Sequence, residues 1–166
     1  KLTEGDYQPH VEEKVKDYAR RHKVPKFYTD ATSLIQDPEV NAVYIATPPA
    51  SHESYAVEAM KHGKPVYIEK PVALNSEACQ RMIASSLETK VPVAVAHYRR
   101  YLDIFQGVKS IIVHQELGPA KLVTIRLCHT HKPNPANPVD NWRISPEISG
   151  GGLFYDLSPH QLDILY

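Results

Sequence analysis

The chain has 166 residues, enough for one ordinary domain or for two incomplete ones. Its 19 lysines and arginines balance 19 aspartates and glutamates, so a formal net charge of zero leaves no electrostatic footprint for nucleic acid or an anionic membrane. No apolar run approaches the roughly 20 residues that span a bilayer; runs such as Ala42-Val43-Tyr44-Ile45-Ala46 have the length of a buried strand. Cys79 and Cys128 stand in unrelated contexts, which predicts free thiols in a reducing, cytoplasmic compartment. The chain opens on Lys1 with no initiator methionine and no secretory signal, and the expectation is a partial chain.

In chain order, Val11 to His22 reads as a charged amphipathic helix, stopped by Val24-Pro25. A short helix over Ala31 to Gln36 precedes the turn Asp37-Pro38-Glu39. Asn41 to Thr47 is a strand, ended by Pro48-Pro49 because neither proline carries a ladder N–H. Ser51 is an N-cap candidate for a helix through His62, with Gly63 at the left-handed C-terminal position. Pro65 to Glu69 is the next strand, Asn75 or Ser76 caps a helix to about Lys90, and Val91 to Ala96 is a third strand. Three apolar strands with helical crossovers predict parallel βαβ units and a sheet covered on both faces.

After His97 the texture changes. Residues 103–116 read as one helix, and Leu122 to His129 alternates like a half-exposed antiparallel strand. A proline- and asparagine-rich loop (132–140), Trp142-Arg143, three glycines at 150–152 and a final helical stretch follow. The break near residue 96 predicts one domain over 1–96 and another over 97–166, both incomplete. No G-x-G-x-x-G turn opens the first part, so the usual cradle for a dinucleotide pyrophosphate is not in this sequence.

In doubly wound sheets ligands bind beyond the carboxyl ends of the strands. Here those ends carry Thr47-Pro48-Pro49, Glu69-Lys70-Pro71 and His97-Tyr98-Arg99-Arg100. A lysine facing a crevice can donate to a substrate hydroxyl, although for this dipeptide taken alone a solvated Glu69–Lys70 pair flanking a strand is the commoner case. On the last helix Asp156, His160 and Asp163 share one face, with Leu153, Leu157 and Ile164 or Leu165 expected to pack the other. A carboxylate one turn before a histidine can orient the imidazole or share a hydroxyl with it. Pro159 predicts an irregular helix start, and Gly150-Gly151-Gly152 permits close approach of a ligand or of a neighbouring element. His129-x-His131 lacks accompanying cysteine or carboxylate ligands, so no metal site is expected, and no G-x-S-x-G turn supports a serine nucleophile.

Taken together, Ile45-Ala46-Thr47-Pro48-Pro49-x-x-His52, Tyr67-Ile68-Glu69-Lys70-Pro71, Ala96-His97-Tyr98-Arg99-Arg100-Tyr101 and Gly150-Gly151-Gly152-x-x-x-Asp156-x-x-x-His160-x-x-Asp163 resemble, in order, the motifs of the Gfo/Idh/MocA oxidoreductases. The resemblance covers nearly the whole chain. It implies an α/β architecture: the C-terminal part of a Rossmann-like parallel sheet, then the start of an α/β domain with a mainly antiparallel sheet that pairs subunits into homo-oligomers. It places NAD or NADP against Thr47, Pro48, His52, Glu69 and Lys70. Tyr98, Arg99, Trp142, Arg143, Asp156 and His160, with Lys70, fall on the substrate side, and Pro71 matches a proline often preceded by a cis peptide. The implied substrate is a small sugar, cyclitol or polyol. Lys70, Asp156 and His160 are the implied catalytic set, His160 taking the hydroxyl proton and Lys70 stabilising the alkoxide.

Two departures bear on substrate identity. Tyr98 stands where relatives frequently have asparagine, and Ser158-Pro159 replaces a more usual glycine-containing turn. Two other readings stay open at this point: an NAD-dependent glycosidase of the same family, and a redox-inactive binding or regulatory protein that keeps the fold.

Overall fold

Three short parallel strands form the centre of the computed structural model, which describes residues 8–128 and 142–166. Strands β1 (Val43–Ile45), β2 (Val66–Ile68) and β3 (Val93–Val95) lie side by side in that order. Val43 pairs with Val66 and Val66 with Val93, so the three strands end at one level. Helices α1 (Gln8–His22) and α2 (Ala31–Gln36) precede the sheet, α3 (His52–Lys61) joins β1 to β2, and α4 (Ser76–Thr89) joins β2 to β3. The predicted parallel βαβ units are therefore present, with each strand trimmed by one or two residues at either end.

Local signals set the helix ends. Asn75 Oδ1 accepts the Ala78 N–H at 2.9 Å and starts α4, and Asp30 Oδ1 does the same for Ser33 at 2.8 Å in α2. After α3 the chain turns at Gly63, whose φ of +72° suits glycine and whose N–H reaches the Met60 carbonyl at 2.9 Å. Ser51 behaves differently from the N-cap expected of it. A 3₁₀ turn (Pro49–Ser51) runs straight into α3, and no side-chain capping bond forms. Asn75→Ala is expected to lower stability by about 1 kcal/mol, seen as a lower urea midpoint; an unchanged midpoint would contradict the cap.

The core is one-sided. Val43, Ile45, Val66 and Ile68 point inward and pack with Ile35, Ala56, Ala59, Met60 and Met82 from the helices. The alternate row, Tyr44, Tyr67 and Ala94, is exposed, with Tyr44 at 57% and Tyr67 at 42%. The expectation of a sheet covered on both faces is thus corrected, because α2, α3 and α4 all pack into the same core cluster. The Tyr44 and Tyr67 rings instead stack on each other, 5.5 Å between centroids.

Beyond β3 a 3₁₀ turn (Tyr98–Tyr101) leads into α5 (Asp103–Val113), which ends a few residues before the expected limit in turns closing at Gly118. The antiparallel strand expected from Leu122 is not found: residues 122–128 are exposed and pair with no strand among the described residues. Alternation of side chains is not enough to make a strand, since its backbone groups need a ladder partner. His129, the last residue of that expectation, lies outside the described residues. Helix α6 (Pro146–Ser149) and α7 (Gly152–Leu165) close the chain, and α7 continues through Pro159. Of the residues expected to pack, Leu153, Leu157 and Ile164 are half-buried and Leu165 is exposed, so both faces of the helix are partly covered. Asp156 and His160 are buried, whereas Phe154, Leu162 and Leu165 are exposed. No helix among the described residues is long and apolar enough to cross a membrane.

Candidate active site

The carboxyl ends of β1, β2 and β3 form the floor of the site, and α7 stands over it. At the β1 end Thr47 is exposed, and the Ser51 hydroxyl lies 2.7 Å from Thr47 Oγ1 and 3.0 Å from the Pro48 carbonyl. His52 is wholly buried, with Nε2 2.7 Å from the Thr47 carbonyl and Nδ1 3.1 Å from the Pro71 carbonyl. The ring therefore ties the turn after β1 to the turn after β2. Any influence of His52 on a cofactor passes through those turns, because both nitrogens face the backbone.

The turn after β2 carries Glu69 and Lys70, and the Lys70–Pro71 peptide is cis. Glu69 Oε1 accepts from the Tyr44 hydroxyl at 2.6 Å, a bond that pushes the Tyr44 pKa up to about 12. Lys70 reaches across to α7, where Nζ donates to Asp156 Oδ1 at 2.9 Å and to the Asp156 carbonyl at 2.7 Å. This ion pair is largely out of solvent, the side chains being 15% and 9% exposed. Arg143 Nε approaches the second carboxylate oxygen at 3.3 Å while its guanidinium lies over the Trp142 ring, 4.4 Å from the centroid. Asp156 thus serves two cations. Its expected role of orienting the His160 imidazole is not seen, since Nδ1 of His160 has no hydrogen-bond partner.

His160 sits one turn beyond Asp156, 5% exposed, with the edge of the Tyr98 ring 5.5 Å away between centroids. Burial lowers its pKa most, and the positive charges of Arg99, Lys70 and His97 lower it further against a small opposing effect of Glu69. The imidazole is therefore neutral at physiological pH, the form that can accept a proton. The third strand end adds His97, whose Nδ1 lies 3.7 Å from Asp163 Oδ1, and Arg100, which forks onto the Asp163 carboxylate.

Two of the three glycines, Gly150 and Gly151, have a packing explanation, and Gly152 instead has a left-handed φ of +72° with open space around it. The Tyr155 ring lies against Gly150 and Gly151, and its hydroxyl donates to the Ala73 and Leu74 carbonyls at 3.1 and 3.2 Å. A Cβ on Gly150 would fall 2.7 Å from Tyr155 Cε1 and 3.1 Å from the Leu74 carbonyl, at a φ of +91°. The element brought close is Tyr155, so Gly150→Ala is expected to cost about 2–4 kcal/mol. A thermal melt checks this, and an unchanged Tm would contradict it.

Sequence reasoning brought Lys70, Asp156, His160, Tyr98 and Arg143 to one place, and the structure gathers them there. It missed Tyr155, Arg100 and Asp163 as partners. The spacing of Tyr155 after the glycines was a usable signal for the first. Nothing local connects Arg100 with Asp163, 63 residues away. Among the described residues no three histidine, cysteine or acidic side chains gather to hold a metal, and His129 and His131 lie outside them.

A parallel sheet whose first two strands lead into Thr47, Glu69 and Lys70 carries polar side chains at the edge where doubly wound sheets bind their ligands. Two family models match this chain: an oxidoreductase family with an NAD-binding Rossmann fold over residues 7–97, and the Gfo/Idh/MocA C-terminal domain over 105–166. The chain belongs to the Gfo/Idh/MocA oxidoreductase family. Among its relatives, Oxidoreductase P35 of Formosa agariphila is 43% identical over 93% of this chain and 48% of its own length. The myo-inositol 2-dehydrogenase of Thermotoga maritima is 28% identical over 92% of this chain and 43% of its own. The crystal structure of an NAD-binding protein from Listeria innocua superposes with a TM-score of 0.72 at 26% identity, covering 90% of this chain and 42% of that one. The chain spans about half the length of the relatives it matches. The family's cofactor is a nicotinamide dinucleotide, and the residues present fit part of it. Thr47, Glu69 and Lys70 are the polar side chains on that strand edge, and the sequence has no glycine-rich turn for the pyrophosphate.

Proposed function

We propose that this site serves hydride transfer between NAD or NADP and a hydroxyl-bearing carbon of a sugar, cyclitol or related polyol. The observation that carries the reading is a buried His160 on the same helix face as Asp156, which holds Lys70 in place. When bound, a nicotinamide supplies the hydride acceptor or donor. The chain supplies the rest. Lys70 Nζ donates to the substrate oxygen, where fixed positive charge favours the alkoxide-like transition state. Asp156 keeps the ammonium aimed. His160 takes the hydroxyl proton on its imidazole. Tyr98, Arg99, Trp142 and Arg143 border the substrate space, and Thr47 and Pro48 border the cofactor. A polyol substrate is supported by the donors themselves, which suit a hydroxyl, and by the name of the inositol dehydrogenase relative.

The test is direct. The protein is incubated with NAD⁺ or NADP⁺ and a panel of inositols, aldoses and anhydrosugars, and reduced nicotinamide is followed by absorbance. Reduction with at least one polyol is expected. No reduction with any of them, and no oxidation of NADH or NADPH by the matching ketones, would contradict the proposal.

A further inference from the structure

We infer that Arg100 and Asp163 are positioning residues for His160, clamping α7 so that the imidazole is held over the strand ends; the reading rests on the function proposed above. Asp163 lies one turn beyond His160 and two turns beyond Asp156, on the same face of the helix. Its side chain is only 4% exposed, and it receives a two-pronged bond from Arg100, Nε to Oδ2 at 3.0 Å and the other prong to Oδ1. This fork–carboxylate pairing fixes direction as well as distance. The bond from Arg100 holds the Asp163 carboxyl below the usual carboxylate range.

Three features make the clamp necessary. First, no hydrogen bond to Nδ1 fixes the His160 ring, so its orientation follows from the placement of α7 and from the Tyr98 edge. Tyr98 and Arg100 belong to the same 3₁₀ turn, which therefore grips α7 at the ring and at the ion pair together. Second, the apolar side of α7 is exposed at Phe154, Leu162 and Leu165, so among the described residues its polar face does much of the docking. Third, Pro159 removes the N–H that would bond the Tyr155 carbonyl, weakening the helix at the turn that carries His160. The Lys70–Asp156 pair holds α7 on one side of that weak turn and Arg100–Asp163 holds it on the other, about 10 Å further along the axis.

The test compares wild type with Asp163→Asn, which keeps shape and removes charge, and with Arg100→Lys, which keeps charge and removes the fork. The first readout needs no substrate: the nuclear Overhauser contact between the Tyr98 and His160 rings in the ligand-free protein. It is expected to weaken in Asp163→Asn, and the His160 ring resonances to move. The second readout is kinetic. On the order of a tenfold to fiftyfold loss of kcat with KM within about twofold is expected for Asp163→Asn, and a smaller loss for Arg100→Lys, because misplacing a catalytic group acts on turnover. Unchanged ring contact and resonances in Asp163→Asn would overturn the clamp. If Asp163→Asn does not fold, the Arg100→Lys comparison of the same ring contact decides it. A wild-type protein that turns over no polyol refutes the proposed reaction instead, and the ring contact then judges the clamp alone.

Discussion

Lys70→Ala is expected to lower turnover by at least ~100-fold, the scale set by removing a transition-state donor in a partly water-excluded site. The same substitution leaves the Asp156 carboxylate, 9% exposed, facing Arg143 alone. Breaking one partner of a buried pair costs up to about 3–5 kcal/mol, and Arg143 offsets part of that, so stability falls by less. The two effects separate in the double variant Lys70→Ala/Asp156→Asn. Neutralising the carboxylate restores much of the stability and none of the turnover. Steady-state kinetics and urea denaturation on the three proteins check this. Near-normal turnover in Lys70→Ala removes the lysine from the mechanism.

His160→Ala is expected to cost a similar ~100-fold or more in turnover, and it carries a pH signature. Burial, then Arg99, Lys70 and His97, hold the His160 pKa below its ordinary 6.5. Oxidation of a polyol should therefore rise with pH through that lowered value and level off near neutrality, and the variant should lose the rise. Stability follows the same linkage. The unfolded chain binds a proton on this ring near pH 6.5 and the folded chain resists it. The stability from the neutral ring is fully present above the unfolded pKa, and is lost as pH falls from there toward the folded pKa. Urea midpoints at about pH 7.5 and about pH 5.5 should drop further for wild type than for His160→Ala. Equal drops would show that His160 does not titrate with a depressed pKa.

Much of the first half was legible because its signals are local. Asn75 as a cap and Gly63 as a left-handed stop each act within a few residues of themselves, and each is found in place, whereas β1 ends at Ile45, two residues short of the expected proline stop. The strand-end lysine and the Asp156–His160 helix were legible as candidates for the same reason. What escaped depends on partners far along the chain. Asp156 was read against its helical neighbour His160, while the structure gives it to Lys70, 86 residues away. Tyr44 and Tyr67 sit in apolar runs that read as doubly buried, yet burial depends on which face the helices cover. Leu122 to Leu127 alternates as an edge strand does, but a ladder partner cannot be inferred from one strand. On α7 the apolar residues expected to pack, Leu153, Leu157 and Ile164, are only half-buried while Asp156 and His160 are buried, because helical periodicity assigns two faces without saying which one a neighbour covers more fully.

The most direct test of the central claim is to follow one hydrogen atom. A polyol found to support reduction is prepared with deuterium on the reacting carbon, and the nicotinamide product is weighed by mass spectrometry after turnover. Hydride transfer predicts one deuterium in each reduced nicotinamide formed and a slower rate with the labelled substrate. Reduced nicotinamide that carries no deuterium, or a sugar cleaved with no net reduced cofactor, would contradict it, the second result favouring the glycosidase reading instead.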